Sequence, residues 1–305
     1  MASHRDDLLL REFKKALWTH NNEPYSNLDD KFNQKFDLIV TRYEDVIKVA
    51  GTNIPPHKWS YHRIGLLTNG EASYTCGMYR FRAKKNTLLI MPARMITTSE
   101  WTTNGCGYTT LFNADFFVRN NLSYKLLENK GILQHSGQPY LYLSRDQSAN
   151  VEEVFKAILK EQDSDASFKS ELIALKIVEL LILCERYYSD THNLTHNSQT
   201  IDLFKKFTYL IEHHFLEEHS VTFYARRLHV HPNYLNAIIK ANTDFTAKES
   251  IQNRILLEAK YLLHTTNLSV KEISVKIGFD DPNYFNAFFK RLEKISPLSY
   301  RNSFI

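Results

Sequence analysis

The chain of 305 residues predicts an α+β fold in two successive domains. Three observations carry that expectation. Short strand-like runs crowd the stretch from Tyr61 to Asn113, helical periodicity takes over near Ala149, and the last hundred residues contain a duplicated helical unit.

The strand candidates are Tyr61–Thr68, Glu71–Cys76, Met78–Arg82, Thr87–Met91 and Tyr108–Asn113. They are short and rich in aromatic or branched residues, and Gly70, Gly77, Asn86 and Asn104-Gly105 punctuate them. Such spacing suggests a sandwich or a small barrel. Ahead of them, Leu8–Trp18 can be read as a helix.

From Ala149 the pattern changes. Val151, Val154, Phe155, Ile158 and Leu159 fall on one helical face. Ser167 is a candidate cap for a second helix reaching about Tyr188, apolar on more than one side. On it, Ile173, Ile177, Leu180, Leu181 and Cys184 form one stripe, expected to pack on the strands. Leu172, Leu175, Glu179, Ile182 and Arg186 form another, apolar in its centre and charged at its edges. That composition suits a subunit interface, so a homodimer is expected there; the alternative is that the stripe covers the second half of the same chain. Residues 190–200 are polar and lack periodicity, which marks a linker between a first domain, 1–189, and a second, 201–305.

The second domain repeats itself. Pro232-Asn233-Tyr234-Leu235-Asn236-Ala237 returns fifty residues later as Pro282-Asn283-Tyr284-Phe285-Asn286-Ala287. Each copy has a short helix with an apolar and a small residue side by side (Tyr224-Ala225; Ile273-Ser274), a tight turn, and a second helix opening on proline. Gly278 can take positive φ cheaply in the second turn, where the first copy has His229. Asp281 is a good cap and His231 a poor one. Two short helices crossing at a small residue describe a helix-turn-helix. The tyrosine and the three apolar residues of each second helix are expected inward. Asn233, Asn236, Ala237 and Lys240, with Asn283, Asn286, Ala287, Lys290 and Arg291, are then left facing outward toward a major groove. Between the copies, Ala247–Leu263 is an uninterrupted helical pattern about 25 Å long, a spacer suited to two recognition helices one turn of duplex apart. A plain helical hairpin repeat is the alternative; the shared Pro-Asn-Tyr start and the basic residue ending both helices favour DNA.

The net charge of +4 permits nucleic-acid binding without arguing for it. Three cysteines without a CxxC pattern fit a reducing compartment. The charged start and the absence of a long apolar run predict a soluble, cytoplasmic protein with no membrane partner.

Val270–Arg301 closely resembles the AraC/XylS family of bacterial regulators, through Ile273-Ser274, Gly278-Phe279, Tyr284-Phe285, Phe289-Lys290, Ser296-Pro297 and Tyr300-Arg301. The linker helix, Arg254-Ile255 to Leu262-Leu263, matches as well. The chain departs from the family pattern at Lys294 and Asp244, where glycine is usual, at Ser274 for alanine, and at Ala237 and Ala287, where many members carry arginine. The resemblance implies sequence-specific binding of double-stranded DNA and a cupin-like β-barrel in the first domain that senses a small-molecule effector. It further implies contact with RNA polymerase if the protein activates. Base contacts are expected from Asn233, Asn236, Ala237, Asn283, Asn286 and Ala287, and phosphate contacts from Lys240, Arg254, Lys290 and Arg291.

The competing class is a cupin-type enzyme or small-molecule-binding protein whose helical tail serves only interaction. It lacks sequence support: no phosphate loop, GxSxG or HExxH occurs. His57 and His62 are the only nearby histidine pair, and they are expected to line a pocket or the surface. No cofactor, no metal and no catalytic residue is expected.

Overall fold

The computed structural model describes residues 37–102, 105–120, 122, 133, 138–193, 198–243 and 245–303. The expected helix Leu8–Trp18 lies outside them, as does Asp244.

Among the described residues, nine strands build the first domain: β1 (Leu38–Arg42), β2 (Asn53–Lys58), β3 (His62–Asn69), β4 (Ala72–Cys76), β5 (Tyr79–Ala83), β6 (Thr87–Met91), β7 (Ile96–Trp101), β8 (Cys106–Phe112) and β9 (Tyr140–Tyr142). Helix α1 (Tyr43–Ala50) follows β1, and α2 (Ala114–Arg119) follows β8. The strands form two sheets rather than one closed barrel. One runs β1-β8-β3-β6-β9 and the other β2-β7-β4-β5, with every pairing among the described residues antiparallel. Four strands escaped the sequence reading. Pro55-Pro56 interrupts β2, whose register slips against β7 between Ile54 and His57, and prolines argue against a strand. The Thr97-Thr98-Ser99-Glu100 run of β7 is too polar to signal burial, while β1 and β9 are short.

The larger sheet is covered on both faces, and its strands divide their side chains accordingly. On β3, Ile64 and Leu66 turn toward two helices, α3 (Arg145–Gln162) and α4 (Lys169–Asn193). Leu67, on the opposite face, packs between the sheets with Tyr43, Tyr74 and Trp101. Sandwiching from both sides explains why all five residues of β6 are buried. Ser144 caps α3 in a reciprocal box with Gln147. The inward face of α3 (Val151, Val154, Phe155, Ile158) and the expected inward stripe of α4 (Ile173, Ile177, Leu180, Leu181, Cys184) fill this second core.

Of the expected linker 190–200, residues 190–193 finish α4 and Ser198 opens α5 (Ser198–His214), so helix reaches in from both sides; 194–197 lie outside the described residues. Six helices follow: α6 (Val221–Arg227), α7 (Pro232–Thr243), α8 (Ala247–Thr265), α9 (Val270–Lys276), α10 (Pro282–Glu293) and α11 (Pro297–Asn302). The pairs α6/α7 and α9/α10 are the two copies of the repeat, and α8 is the expected spacer. α8 is capped by a reciprocal Thr246/Glu249 box and is buried along much of its 19-residue length. Its neighbours explain the burial, because besides the other helices it packs on β2, β5 and β7 of the smaller sheet. Tyr79 of β5 meets Phe204 of α5 edge-on, with ring centroids 6.4 Å apart. The helical domain thus docks on the sandwich through its central spacer, and one apolar cluster runs through both.

Candidate nucleic-acid interface and the cavity behind it

Each second helix of the repeat is held by three buried apolar residues: Leu235, Ile238 and Ile239 in α7; Phe285, Phe289 and the partly buried Phe288 in α10. The opposite faces are exposed, with Asn233, Ala237 and Lys240 on α7, and Asn283, Asn286, Ala287, Lys290 and Arg291 on α10. Both helices begin with a ring or carboxylate acceptor over the first turn. Asp281 Oδ1 accepts the Asn283 N–H at 2.8 Å, and His231 Nδ1 accepts that of Asn233 at 3.2 Å. The poor cap expected at His231 therefore works through its ring nitrogen.

Two expected contacts change role. Arg254 is not on the surface: its side chain is 7% exposed, pairs with Glu212 at 2.9 Å and Glu258 at 2.9 Å, and lies 3.8 Å over the Phe215 ring. It ties α8 to α5 and is unavailable to phosphate. Arg254, expected at phosphate, is buried because α8 packs both on the other helices and on the smaller sheet. Asn236 is half-buried, and its Oδ1 accepts the Ala247 N–H at 3.0 Å at the start of α8. It braces the spacer rather than presenting a free amide.

The tyrosines move the other way. Tyr234 is 52% exposed and Tyr284 73%, although both were expected in the core. Each sits in the first turn, at the edge of the apolar stripe. Their matched place in the repeat was the signal; apolar character alone put them on the wrong face. They join the polar residues as large, planar groups with a hydroxyl able to donate or accept.

The turns differ as the sequence suggests. Gly278 adopts φ +83°, and a Cβ there would lie 1.9 Å from the Leu216 carbonyl oxygen. His229 adopts φ 56° with a full side chain. The close approach at Gly278 brings the second unit against the loop leading into the first. There, His219 Nε2 lies 3.1 Å from the Ile277 carbonyl oxygen, and its ring packs on Phe279. Burial pushes the His219 pKa down, so a neutral ring donating to that carbonyl fits the geometry. Lys294, where the family favours glycine, takes the left-handed conformation at φ 67°.

Behind this domain lies a cavity between the sheets of the sandwich, with about 620 Å³ of empty space including its mouth. Ile39, Thr41, Val46, His57, Trp59, Tyr61, Arg63, Met91, Pro92, Met95, Thr97, Thr109 and Leu111 line it. His57 Nδ1 donates to the Pro55 carbonyl at 2.8 Å, and its Nε2 accepts from the Thr97 hydroxyl at 3.0 Å, the bonding of a neutral ring. Burial pushes its pKa down to about 3. His62 instead accepts the Ala93 N–H. The cavity adjoins the helical domain. Met95 on its wall touches Cys76 through sulfur at 3.0 Å, and Glu212, the partner of Arg254, closes on the following residue, Gly77. Among the described residues no cluster of three His, Cys, Asp or Glu could hold a metal, and no helix is long and apolar enough to cross a membrane.

Comparison with known proteins agrees with this geometry. Residues 224–303, both repeat copies and the spacer, match the model of a helix-turn-helix domain. The chain is 32% identical over 113 residues to the HTH-type transcriptional regulator YtdP of Bacillus subtilis, covering 37% of this chain and 15% of that one. Against the HTH-type transcriptional activator RhaS of Enterobacter sp. it is 23% identical over 252 residues, 81% of this chain and 87% of RhaS. The chain thus spans a minor part of YtdP but most of RhaS. Among solved structures, the DNA-binding domain of AdpA in complex with a target DNA aligns at 24% identity, covering 33% of this chain and 91% of that one, with TM-score 0.31. ToxT from Vibrio cholerae aligns at 12% identity over 87% of this chain and 97% of its own, with TM-score 0.39. A DNA-binding transcription regulator is the class that the duplicated helix-turn-helix defines. Within that class, residues 224–303 match the helix-turn-helix domain of AraC-type regulators.

Proposed function

We propose that this regulator grips one face of the duplex with α7 and α10 in successive major grooves, and that a small molecule in the sandwich cavity alters the grip. The observation that carries the first part is the repeated exposed face: asparagine, tyrosine and a terminal lysine in both helices, on opposite ends of a rigid spacer. Nineteen residues of α8 extend about 28 Å, commensurate with the roughly 34 Å between successive grooves. Asn233, Asn283 and Asn286 are the candidate base readers, with Ala237 and Ala287 allowing close approach and contact with thymine methyls. Asparagine pairs bidentately with adenine, so adenine-rich patches about ten base pairs apart are the expected site. Lys240, Lys290 and Arg291 are the candidate phosphate contacts.

The second part is supported by continuity between cavity and spacer. β2 carries His57 into the cavity wall and packs on α8, and the path from Met95 past Cys76 and Gly77 to Glu212 ends on Arg254 of that helix. A ligand that shifts the wall would bias the position of α8, and with it the spacing of α7 and α10.

A homodimer fits the remaining feature. Leu172, Leu175, Glu179, Ile182 and Arg186 of α4 are all exposed within one chain, with Leu175 at 56%. The stripe does not cover the helical domain of its own chain, and a second copy would bury it isologously. If the protein activates, RNA polymerase is a further partner. On this reading residues 1–189 sense and dimerise, and 201–305 bind DNA.

Selection of bound sequences from a random duplex pool, followed by shift assays across salt, tests the proposal. Log K should fall with log salt by about 0.9 per phosphate contact, and Lys290→Ala should reduce that slope by about one unit for every sequence alike. A guanine-dominated motif or salt-independent binding would defeat it.

A further inference from the structure

Among the described residues the charge in the sandwich cavity has no counter-charge, and we propose that the cavity binds a small organic monocarboxylate, the acid paired to Arg63 and its apolar body held against the cavity wall. This inference rests on the reading of the cavity as the effector site and names the class of effector.

Arg63 reaches the cavity from β3, where its register partners are Met91 and Leu111, both wall residues. Its guanidinium is fixed by three hydroxyls: Nε donates to Thr109 Oγ1 at 3.2 Å, and Nη2 to Tyr43 Oη at 3.3 Å and Tyr74 Oη at 3.5 Å. It also faces both tyrosine rings, 5.5 and 5.8 Å from their centroids. No carboxylate among the described residues pairs with it, and Nη1 has no hydrogen-bond partner among them. The backbone is shaped to keep this arrangement. A Cβ on Gly65 would fall 2.0 Å from the Tyr43 hydroxyl, so only glycine leaves the space in which that hydroxyl meets Arg63.

Charge counting then selects the ligand. Arginine stays protonated at every physiological pH. Among the described residues the wall contains no Asp, Glu or Lys, and His57 is neutral above about pH 3. The cavity therefore holds one positive charge in surroundings that are otherwise apolar or hydroxylic. A half-buried guanidinium without a counter-charge is costly, and Nη1, whose N–H groups have no acceptor among the described residues, is placed to donate a charge-assisted hydrogen bond to a carboxylate oxygen. A monoanion neutralises it; a phosphate dianion would leave a net negative charge in the same walls. Ile39, Val46, Trp59, Met91, Met95 and Leu111 supply the apolar contact.

The test titrates the full-length protein at pH 7.5 with acetate, hexanoate, benzoate and phenylacetate, each beside its primary amide, with inorganic phosphate and phenyl phosphate as further arms. Calorimetry is the readout, and tryptophan fluorescence reports on Trp59. Hexanoate, benzoate or phenylacetate should bind at least tenfold more tightly than its amide. Arg63→Gln should erase that preference by weakening the acids at least tenfold, and in the wild type the preference should persist unaltered from pH 6 to 8. The wild-type acid-to-amide ratio decides even if the variant does not fold. Equal binding of acids and amides overturns the anion assignment and leaves the cavity as the effector site. Tighter binding of either phosphate overturns the choice of carboxylate. An affinity that declines as pH rises through 6 to 7 assigns the anion to a protonated histidine instead of Arg63 and overturns the proposal. No acid binding up to millimolar concentration, with salt-dependent DNA binding intact, overturns this inference alone.

Discussion

The two copies of the helix-turn-helix share a sequence pattern but are not equally free to read DNA. The second has a glycine at its turn, a carboxylate cap and an unencumbered Asn286. The first has His229 in the left-handed region, an imidazole cap, and an Asn236 whose amide oxygen holds the start of α8. The first unit is joined to the sandwich through α5, which packs on it and carries Glu212 beneath the cavity-side turn at Gly77, whereas the second touches the sandwich directly, Glu293 of α10 pairing with Arg80 of β5 at 3.7 Å. On the proposed function, the repeat has diverged in duty while its pattern persists: the second copy would read DNA, and the first would both read and transmit.

The largest test of that division is Arg254→Ala. If Arg254 ties the spacer to α5, its loss strands two mostly buried carboxylates, Glu212 and Glu258, and should cost about 3–5 kcal/mol in chemical denaturation. Were Arg254 a phosphate contact, stability would hold and only the salt slope of DNA binding would drop. Next comes Gly278→Ala, which combines a left-handed residue with a methyl pressed on the Leu216 carbonyl. About 2–4 kcal/mol of destabilisation is expected from strain and overpacking together. A neutral result would mean that the two units can separate at no cost.

The asparagines sharpen the contrast further. Asn286→Ala should relax base preference at one position of the selected site, by about 1–3 kcal/mol, with melting unchanged. Asn236→Ala should instead lower stability by about 1 kcal/mol, through the lost bond to Ala247, and leave base preference nearly as it was. Reversed outcomes would exchange the duties of the two copies. The smallest expected effect is His229→Gly, which relieves a left-handed side chain and should raise stability by about 0.5–1 kcal/mol in a thermal melt.

Local chemistry explains what was legible beforehand. Pro at the first helical position, Asp281 as a cap, Gly278 at a turn, and apolar residues at helical spacing all act over a few residues, so the sequence by itself determined the duplicated unit, its resemblance to a known family and the inward stripe of α4. The same local rules located the five strands with strong aromatic or branched patterns. What they could not supply was the neighbour on the far side. Whether Tyr234 and Tyr284 pack or protrude depends on where the adjoining helices end. Whether Arg254 meets water or Glu212 depends on α5, forty-two residues away. The two sheets, the polar β7 and the cavity around Arg63 exist only once strands distant in the chain are paired, because a guanidinium beside Thr109, Tyr43 and Tyr74 is assembled from separate stretches of the chain. Tertiary structure decided these points because burial and counter-charge are properties of the space between elements, and no periodicity within one element encodes them.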